Sequence, residues 1–402
     1  MNTSKHQLEE ISGIKSFFNN FSTTSSFILN KNIPENFIVN EILPNKTVVE
    51  EKTFFCNEES GLFFHAILKK RLIDTPGAIK ILSKALKIPS EWIGYAGLKD
   101  SKAITYQRIS IFNTPLTKVQ NLQFQNLSLH QLTRRKYEVN LGDLWGNRFQ
   151  ISMDPIEDGG SSKEKFKSIE KSLEKLKDSY FPNFYGLQRF GSTRPISHIV
   201  GKYLLKNDYE NAAKVYLTSQ STFEPEKITE LRKKLAEDWD YTFFINNLPR
   251  NYQYEILLSK SLSNFPNNFF RAINAIPNRM KKFFVSSYQS FIFNELLSEY
   301  IRTYNENTDI IKFLPLLTQK FDISSLPDSL GSHVEYLLNN DEISFDDFKK
   351  TAFSSKFKKE QYRSTFIKLT DFKYSLQKDQ LLLEFSLPKS SYATMVIREI
   401  ER

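Results

Sequence analysis

The stretch KYEVNLGDLWGNRFQISM (136–153) carries the first reading of the fold. Tyr137, Val139 and Leu141 alternate before a turn-like GDLWG, and Asn147, Phe149, Ile151 and Met153 alternate after it. A period of two on both sides of a glycine-bounded turn predicts a β-hairpin. Asn147 shares the apolar face of its strand, so its amide is expected to need a partner when buried.

Upstream, FIVNEIL (37–43) reads as a short strand. TPGAIKILSKALKI (75–88) predicts a helix with Thr75 as N-cap and Pro76 at its first position, and Ile79, Leu82 and Leu86 repeat at helical spacing. AITYQRISIF (103–112) is rich in β-branched and aromatic residues and predicts a strand. Between them lies GYAGLKDSKAIT (94–105), which sets Asp100 between Lys99 and Lys102 on a helix-to-strand loop, with Gly94 and Gly97 expected to let the backbone bend. Loops on a rigid scaffold are where chemistry tends to sit.

Downstream, DGGSS (158–162) is a break. KEKFKSIEKSLEKLKDSYF (163–181) is an amphipathic helix through Phe166, Ile169, Leu173, Leu176 and Tyr180. From about residue 195 to 360 helical patterns dominate, strongest in KKFFVSSYQSFIFNELLSEYI (281–301), where Val285, Tyr288, Ile292 and Leu296 mark one face. Strands return in YRSTFIKL (362–369) and QLLLEFSL (380–387), expected to be joined by a turn near QKDQ (377–380). Strands at both ends around a helical middle predict an α+β protein with a mixed or antiparallel sheet. The expected division is a sheet domain of residues 1–190 and 361–402 interrupted by a mostly helical insertion, 191–360.

Composition narrows the chemistry. The 402 residues exceed one ordinary domain, and 40% hydrophobic with 25% charged residues is a globular balance. The net charge of +9 suits a polyanionic partner. A single cysteine, Cys56, permits no disulfide within the chain, and five scattered histidines offer no ligand spacing, so no metal site is expected. No apolar run approaches the ~20 residues of a membrane span. The opening MNTSKHQLEEISGIKSFF lacks a secretory core, so a cytoplasmic protein is expected, with no obligate protein partner inferred.

Three further stretches accompany the Asp100 loop: KNIPENFIVNEI (31–42), GNRF (146–149) and FPNFYGLQRFGSTRPISHIVGKYL (181–204). Aromatic rings that can stack on bases, interleaved with Arg and Lys that can meet phosphates, are what RNA binding uses. These motifs, with FSLPKSSYATMVIRE (385–399), resemble in identity and order the signature of the TruD family of pseudouridine synthases, whose catalytic aspartate lies in a Gly-x-Lys-Asp motif. The resemblance runs from about residue 28 to the end and is nearest to the archaeal branch.

The resemblance implies a pseudouridine synthase core with the family's inserted domain, a tRNA substrate, and no cofactor. The target is typically the D-arm uridine at position thirteen, or in some members the anticodon uridine at position thirty-five. Asp100 matches the catalytic aspartate and Lys31 a lysine near it. Phe37, Asn147 and Tyr392 match positions lining the substrate pocket, and Phe149 the aromatic against the target base. Lys99, with Lys102, is expected to face phosphate, and Gln188 and Arg189 are expected to contact substrate. Departures from the pattern are Asn36, where an acid is usual, TTSSFILNK (23–31) in place of a glycine-rich approach, and Tyr392, where some relatives have Phe.

Pseudouridylation breaks the N1–C1′ bond of uridine, turns the base and rejoins it through C5. No atom of the base skeleton is lost, so the reaction calls for neither cofactor nor metal. It does call for one carboxylate, acting as nucleophile or as base, beside a cation that favours its charged form. A glycosidase or nuclease would want paired carboxylates or metal ligands. A purely RNA-binding protein on the same fold is the remaining rival, and Asp100 discriminates, because such a protein has no use for an acid beside phosphates.

Overall fold

The computed structural model describes residues 6–18, 26–55, 57–58, 60–120, 122–303, 310–351 and 360–401, and Cys56 lies outside them. Backbone proximity divides the chain into two units, 19–181 with 367–402, and 1–18 with 182–366. The division differs from the expected boundaries at 190 and 361, and it takes residues 6–18 out of the sheet unit. The cause is local: Asn294 Nδ2 donates to Ser12 O (2.9 Å), Ser298 Oγ to Gly13 O (2.7 Å), and Lys15 N–H to Ser298 Oγ (2.9 Å).

The sheet unit carries β1 (Phe27–Ile28), β2 (Phe37–Ile42), β3 (Phe63–Arg71), α1 (Thr75–Leu86), β4 (Ile93–Tyr95), β5 (Ile104–Phe112), α2 (Leu116–Gln120), β6 (Leu127–Arg135), β7 (Gly146–Pro155), α3 (Ser162–Leu176), β8 (Thr370–Gln377), β9 (Gln380–Pro388) and α4 (Ala393–Ile400). Nine strands form one mixed sheet in the order β8-β9-β7-β2-β5-β3-β6, with β1 on β7 and β4 on β5. Only β2 and β5 run parallel.

Register fixes what shares a face, because directly paired residues point the same way. Phe37, Val39 and Glu41 pair with Ile151, Phe149 and Asn147. Phe385 and Leu387 of β9 pair with Phe149 and Asn147, and Val39 pairs with Thr105 of β5. Lys70, Leu68 and Ala66 of β3 pair with Thr105, Gln107 and Ile109. On this face β2, β7 and β9 pack with α3 and α4 as one apolar cluster, through Leu173, Leu176, Val396 and Ile397. The β3, β5 and β6 side packs with α1 as another, through Ala78, Leu82 and Leu86. Glu41, Asn147, Thr105, Gln107 and Lys70 interrupt the apolar face between them.

The predicted hairpin at 136–153 does not form. β6 ends at Arg135 and pairs with β3, while β7 has β9 on one side and β2 on the other. With both edges of β7 taken by strands from distant sequence, residues 136–145 have no ladder to join. Their alternation is instead used by Val139, which packs with Ala96 and Leu144 and donates its N–H to Ser110 Oγ (2.8 Å). Gly94 serves this segment rather than a bend, since its φ is not positive and a Cβ there would lie 2.4 Å from Val139 O.

At the C-terminus YRSTFIKL is not the partner of QLLLEFSL. Tyr362–Ser364 pairs with Phe313–Pro315, and Phe366–Lys368 with Tyr180–Pro182. The partner of β9 is β8, across the positive-φ pair Lys378 (48°) and Asp379 (66°), the backbone of a two-residue hairpin turn. At α1 the N-cap is Asp74, whose carboxylate accepts the Gly77 N–H (2.8 Å), and not Thr75.

The second unit is mostly helical and centres on the helix Asn278–Thr303. Its expected face of Val285, Tyr288, Ile292 and Leu296 is buried, but so are Ser286, Ser287, Ser290 and Asn294 on other sides. The helix Ser197–Leu205 crosses it at Gly201, where a Cβ would lie 2.0 Å from Phe284 O.

Two histidines tie stability to pH. His198 stacks on Phe291 at 4.8 Å, and burial pushes its pKa down to about 3. His65 meets Tyr137 O at 2.8 Å, and burial pushes its pKa down to about 4. Both stay neutral in the folded chain while the unfolded chain takes up protons below about 6.5. Stability therefore falls as pH drops through 6.5 and goes on falling until the folded values are reached. At pH 5 each site has removed about 2 kcal/mol relative to neutral pH. Thermal melts at pH 7 and 5 are expected to show this drop, with a shallower slope in His198→Leu; an unchanged slope contradicts it.

Candidate active site

Asp100 sits on the loop from β4 to β5, within residues 96–103, so a three-residue strand intervenes between the preceding helix and the loop. Its Oδ1 accepts the Lys102 N–H at 3.0 Å, closing a local turn, and its Oδ2 faces Lys31 Nζ at 3.6 Å. Both side chains keep an outlet to solvent, at 24% and 26% exposure. The Lys31 ammonium also lies over the Phe37 ring, 4.3 Å from its centroid. Burial draws the Lys31 pKa below the usual lysine range, and the Asp100 carboxylate works against that. Glu401 adds a weaker attraction; its carboxylate accepts the Leu29 N–H (2.9 Å), and burial raises its pKa.

The loop is pinned from below by buried polar groups. Lys99 N–H donates to Thr75 Oγ1 (3.0 Å), and that hydroxyl donates to Gln107 Oε1 (3.0 Å). Gln107 Nε2 donates to Gly97 O (3.2 Å). Lys99 Nζ forms an ion pair with Glu41 Oε2 at 2.9 Å, with side-chain exposures of 2% and 0%. The expectation that Lys99 faces phosphate is therefore corrected: its charge is spent inside the protein, neutralising the Glu41 carboxylate under the loop. Lys70 Nζ reaches Asp100 O (2.8 Å), Lys99 O (3.4 Å) and Ile73 O (2.7 Å).

The other expected residues fall into three groups. Phe37 and Phe149 lie on the face just described and touch edge to face, 5.9 Å between centroids, and Phe149 also meets Phe385 at 5.6 Å. At 3% and 6% exposure both rings are largely core. Asn147 is half-buried on the same face, opposite Glu41 and Leu387, and its Oδ1 is buried without a hydrogen-bond partner among the described residues. Tyr392 is half-buried and immediately precedes α4. Gln188 and Arg189 belong to the helical unit. Gln188 is exposed, whereas Arg189 donates to Ser290 Oγ (3.0 Å) and Ser286 Oγ (2.7 Å) and lies over the Phe283 ring, which gives its guanidinium a bracing role in that unit.

Sequence reasoning missed Lys70, Glu41, Thr75, Gln107 and Glu401. A signal existed for two of them. In FFHAILKKR, Phe64, Ala66 and Leu68 set an inward register that Lys70 continues, and in FIVNE the inward Phe37 and Val39 are followed by Glu41. A charge on an inward position must be paired or serve the site. Among the described residues no group of three or more His, Cys, Asp or Glu could hold a metal ion, and no helix is long and apolar enough to cross a membrane.

Known proteins resemble this chain along most of its length. The family model for tRNA pseudouridine synthase D (TruD) matches residues 13–314 and 309–400. The "Probable tRNA pseudouridine synthase D 1" of Methanocaldococcus jannaschii is 31% identical over 355 residues, covering 86% of this chain and 87% of that protein. The "Probable tRNA pseudouridine synthase D" of Thermococcus sibiricus is 33% identical over 379 residues, covering 83% and 87%. A crystal structure assigned to the TruD of Methanosarcina mazei superposes with a TM-score of 0.71 at 26% identity, covering 100% of this chain and 98% of that one. With a single carboxylate-bearing loop pinned over a mixed sheet, and a family match running nearly the whole length of the chain, this protein belongs to the TruD family of tRNA pseudouridine synthases, a family of isomerases.

Proposed function

We propose that the chain converts a uridine of tRNA to pseudouridine with Asp100 as its one catalytic carboxylate, and that the target is the D-arm uridine at position thirteen. The observation that carries the reading is the Asp100 carboxylate, partly open to solvent, with Lys31 Nζ 3.6 Å away. Membership in the family supports tRNA as substrate, and the family's usual target supports position thirteen.

In this reading the uridine leaves its stack, at a cost of a few kcal/mol, and enters above the sheet face between α1 and α4. Asp100 attacks the sugar at C1′ or removes a sugar proton, and the N1–C1′ bond breaks. The freed base turns so that C5 bonds to C1′, which releases the Asp100 carboxylate from C1′ or is accompanied by return of the sugar proton it took. C5 then gives up its proton and N1 ends protonated, so the product is an isomer of the substrate. Lys31 places its ammonium beside the Asp100 carboxylate. Asn147 meets a polar edge of the uracil with its unpaired Oδ1, Tyr392 lines the pocket beside α4, and Gln188 contacts the RNA.

Phe37 and Phe149 support the pocket floor, and Phe149 lies against the base. Truncation separates the two duties. Phe149→Ala is expected to destabilise the sheet unit by about 3–5 kcal/mol through the cavity it leaves. It is also expected to slow single-turnover modification per folded molecule about ten-fold or more, because base–aromatic contact contributes roughly 1–3 kcal/mol. A lower Tm with normal activity per folded molecule removes the base contact and leaves a packing role.

The reading as a whole is tested by mapping pseudouridine in tRNA from cells with and without this protein. Loss at position thirteen alone is expected. Loss at another position corrects the target, and an unchanged map contradicts the function.

A further inference from the structure

We propose that Lys70 is the positioning residue of the catalytic loop: its buried ammonium, bonded to the main-chain carbonyls on both sides of the Asp100 Cα, sets where the Asp100 carboxylate stands, without itself touching the substrate. The proposal rests on Asp100 being the catalytic carboxylate.

The geometry is specific. Lys70 is fully buried at 0% exposure, on the inward register of β3, where an apolar residue would otherwise pack. Its Nζ has three acceptors, Asp100 O at 2.8 Å, Ile73 O at 2.7 Å and Lys99 O at 3.4 Å, all of them backbone. Among the described residues no carboxylate is hydrogen-bonded to it. A buried ammonium satisfied only by carbonyls is an expensive choice for mere packing, since a methionine would fill the same space without desolvating a charge. It does fix the backbone at the residue whose side chain must be placed to within about half an ångström. The carbonyl of Ile73, next to the α1 N-cap, ties the loop to the rigid start of that helix.

The charges that face Lys70 are Asp100 and Asp74, which favour its protonated form, and Lys99, which opposes it. Thr105 and Gln107, its neighbours on β5, carry no charge. Desolvation outweighs the rest and brings the Lys70 pKa down to about 8. Loss of that proton weakens the hydrogen bonds to the loop carbonyls, because charge-assisted bonds are about twice as strong as neutral ones. Activity is therefore expected to fall as pH rises through this value.

Single-turnover rates, KM, kcat and Tm are measured on purified Lys70→Met, Lys70→Arg and Asp100→Asn beside the unaltered chain, from pH 6 to 10, on transcribed tRNA. Lys70→Met is expected to lower kcat about 100-fold with KM changed less than about three-fold, the signature of a misplaced group rather than lost binding. Lys70→Arg, whose guanidinium keeps its proton throughout, is expected to move the alkaline limb up by at least about one pH unit. A folded Lys70→Met with kcat within about three-fold of normal overturns the proposal. Where the Met variant does not fold, the Arg variant decides, and an unmoved alkaline limb overturns it. Asp100→Asn keeps the two levels apart. If it retains a tenth of the activity, the catalytic assignment fails; if it is inactive while both Lys70 variants behave normally, only the positioning role fails.

Discussion

Asp100→Asn lowers the rate of pseudouridine formation more than about a thousand-fold and leaves tRNA affinity within a few fold. The amide has nearly the volume of the acid, and its Oδ1 can still accept the Lys102 N–H that shapes the turn (3.0 Å). What it lacks is the charge and the basicity on the Oδ2 side, 3.6 Å from Lys31. Removing a group that must act chemically costs several powers of ten, whereas binding to a polyanion rests on many basic residues. Rates from rapid quench and affinities from filter binding on the same protein separate the two. Turnover at a tenth of normal would take Asp100 out of the reaction.

Glu41→Leu is expected to destabilise the sheet unit by about 3–5 kcal/mol, because it strands a buried ammonium. Glu41 and Lys99 form an ion pair of 2.9 Å with almost no solvent, and the Glu41 carboxylate also accepts the Arg108 N–H at 3.2 Å. The partner change, Lys99→Met, made on top of Glu41→Leu, is expected to recover most of the loss, since an apolar pair of similar volume can replace a buried ion pair with little net cost. Thermal or denaturant unfolding of the single and double variants gives the coupling energy directly. Additive losses would mean that the two side chains do not depend on each other.

Local pattern made the individual elements readable. The alternation in GNRFQISM, the short run FIVNEIL and the β-branched and aromatic run AITYQRISIF each correspond to an observed strand, and the 3.6 period of 163–181 holds as a helix as far as Leu176, whereas Tyr180 begins the strand Tyr180–Pro182. Partnership was not readable. KYEVN and GNRFQISM alternate like two arms of a hairpin, yet β7 is held by β2 and β9, which lie about a hundred residues before it and more than two hundred after it. YRSTFIKL carries the same kind of alternation and pairs elsewhere. The site shows the same asymmetry. Asp100 and Lys31 stood out because motifs mark them. Lys99 was misread because an exposed lysine and one folded back onto Glu41 look identical in sequence. Lys70, Glu41 and Gln107 became visible only once register placed them on one face beneath the loop.

The most direct measurement follows the hydrogen on C5. Transcribed tRNA carrying tritium at C5 of uridine is incubated with the purified protein, and with Asp100→Asn, with no cofactor added. Joining C5 to C1′ expels that hydrogen, so the unaltered protein is predicted to release one equivalent of tritium per tRNA, and the variant none on the same timescale. Equal release by the two proteins, or none by a folded unaltered protein on any tRNA, would contradict the account.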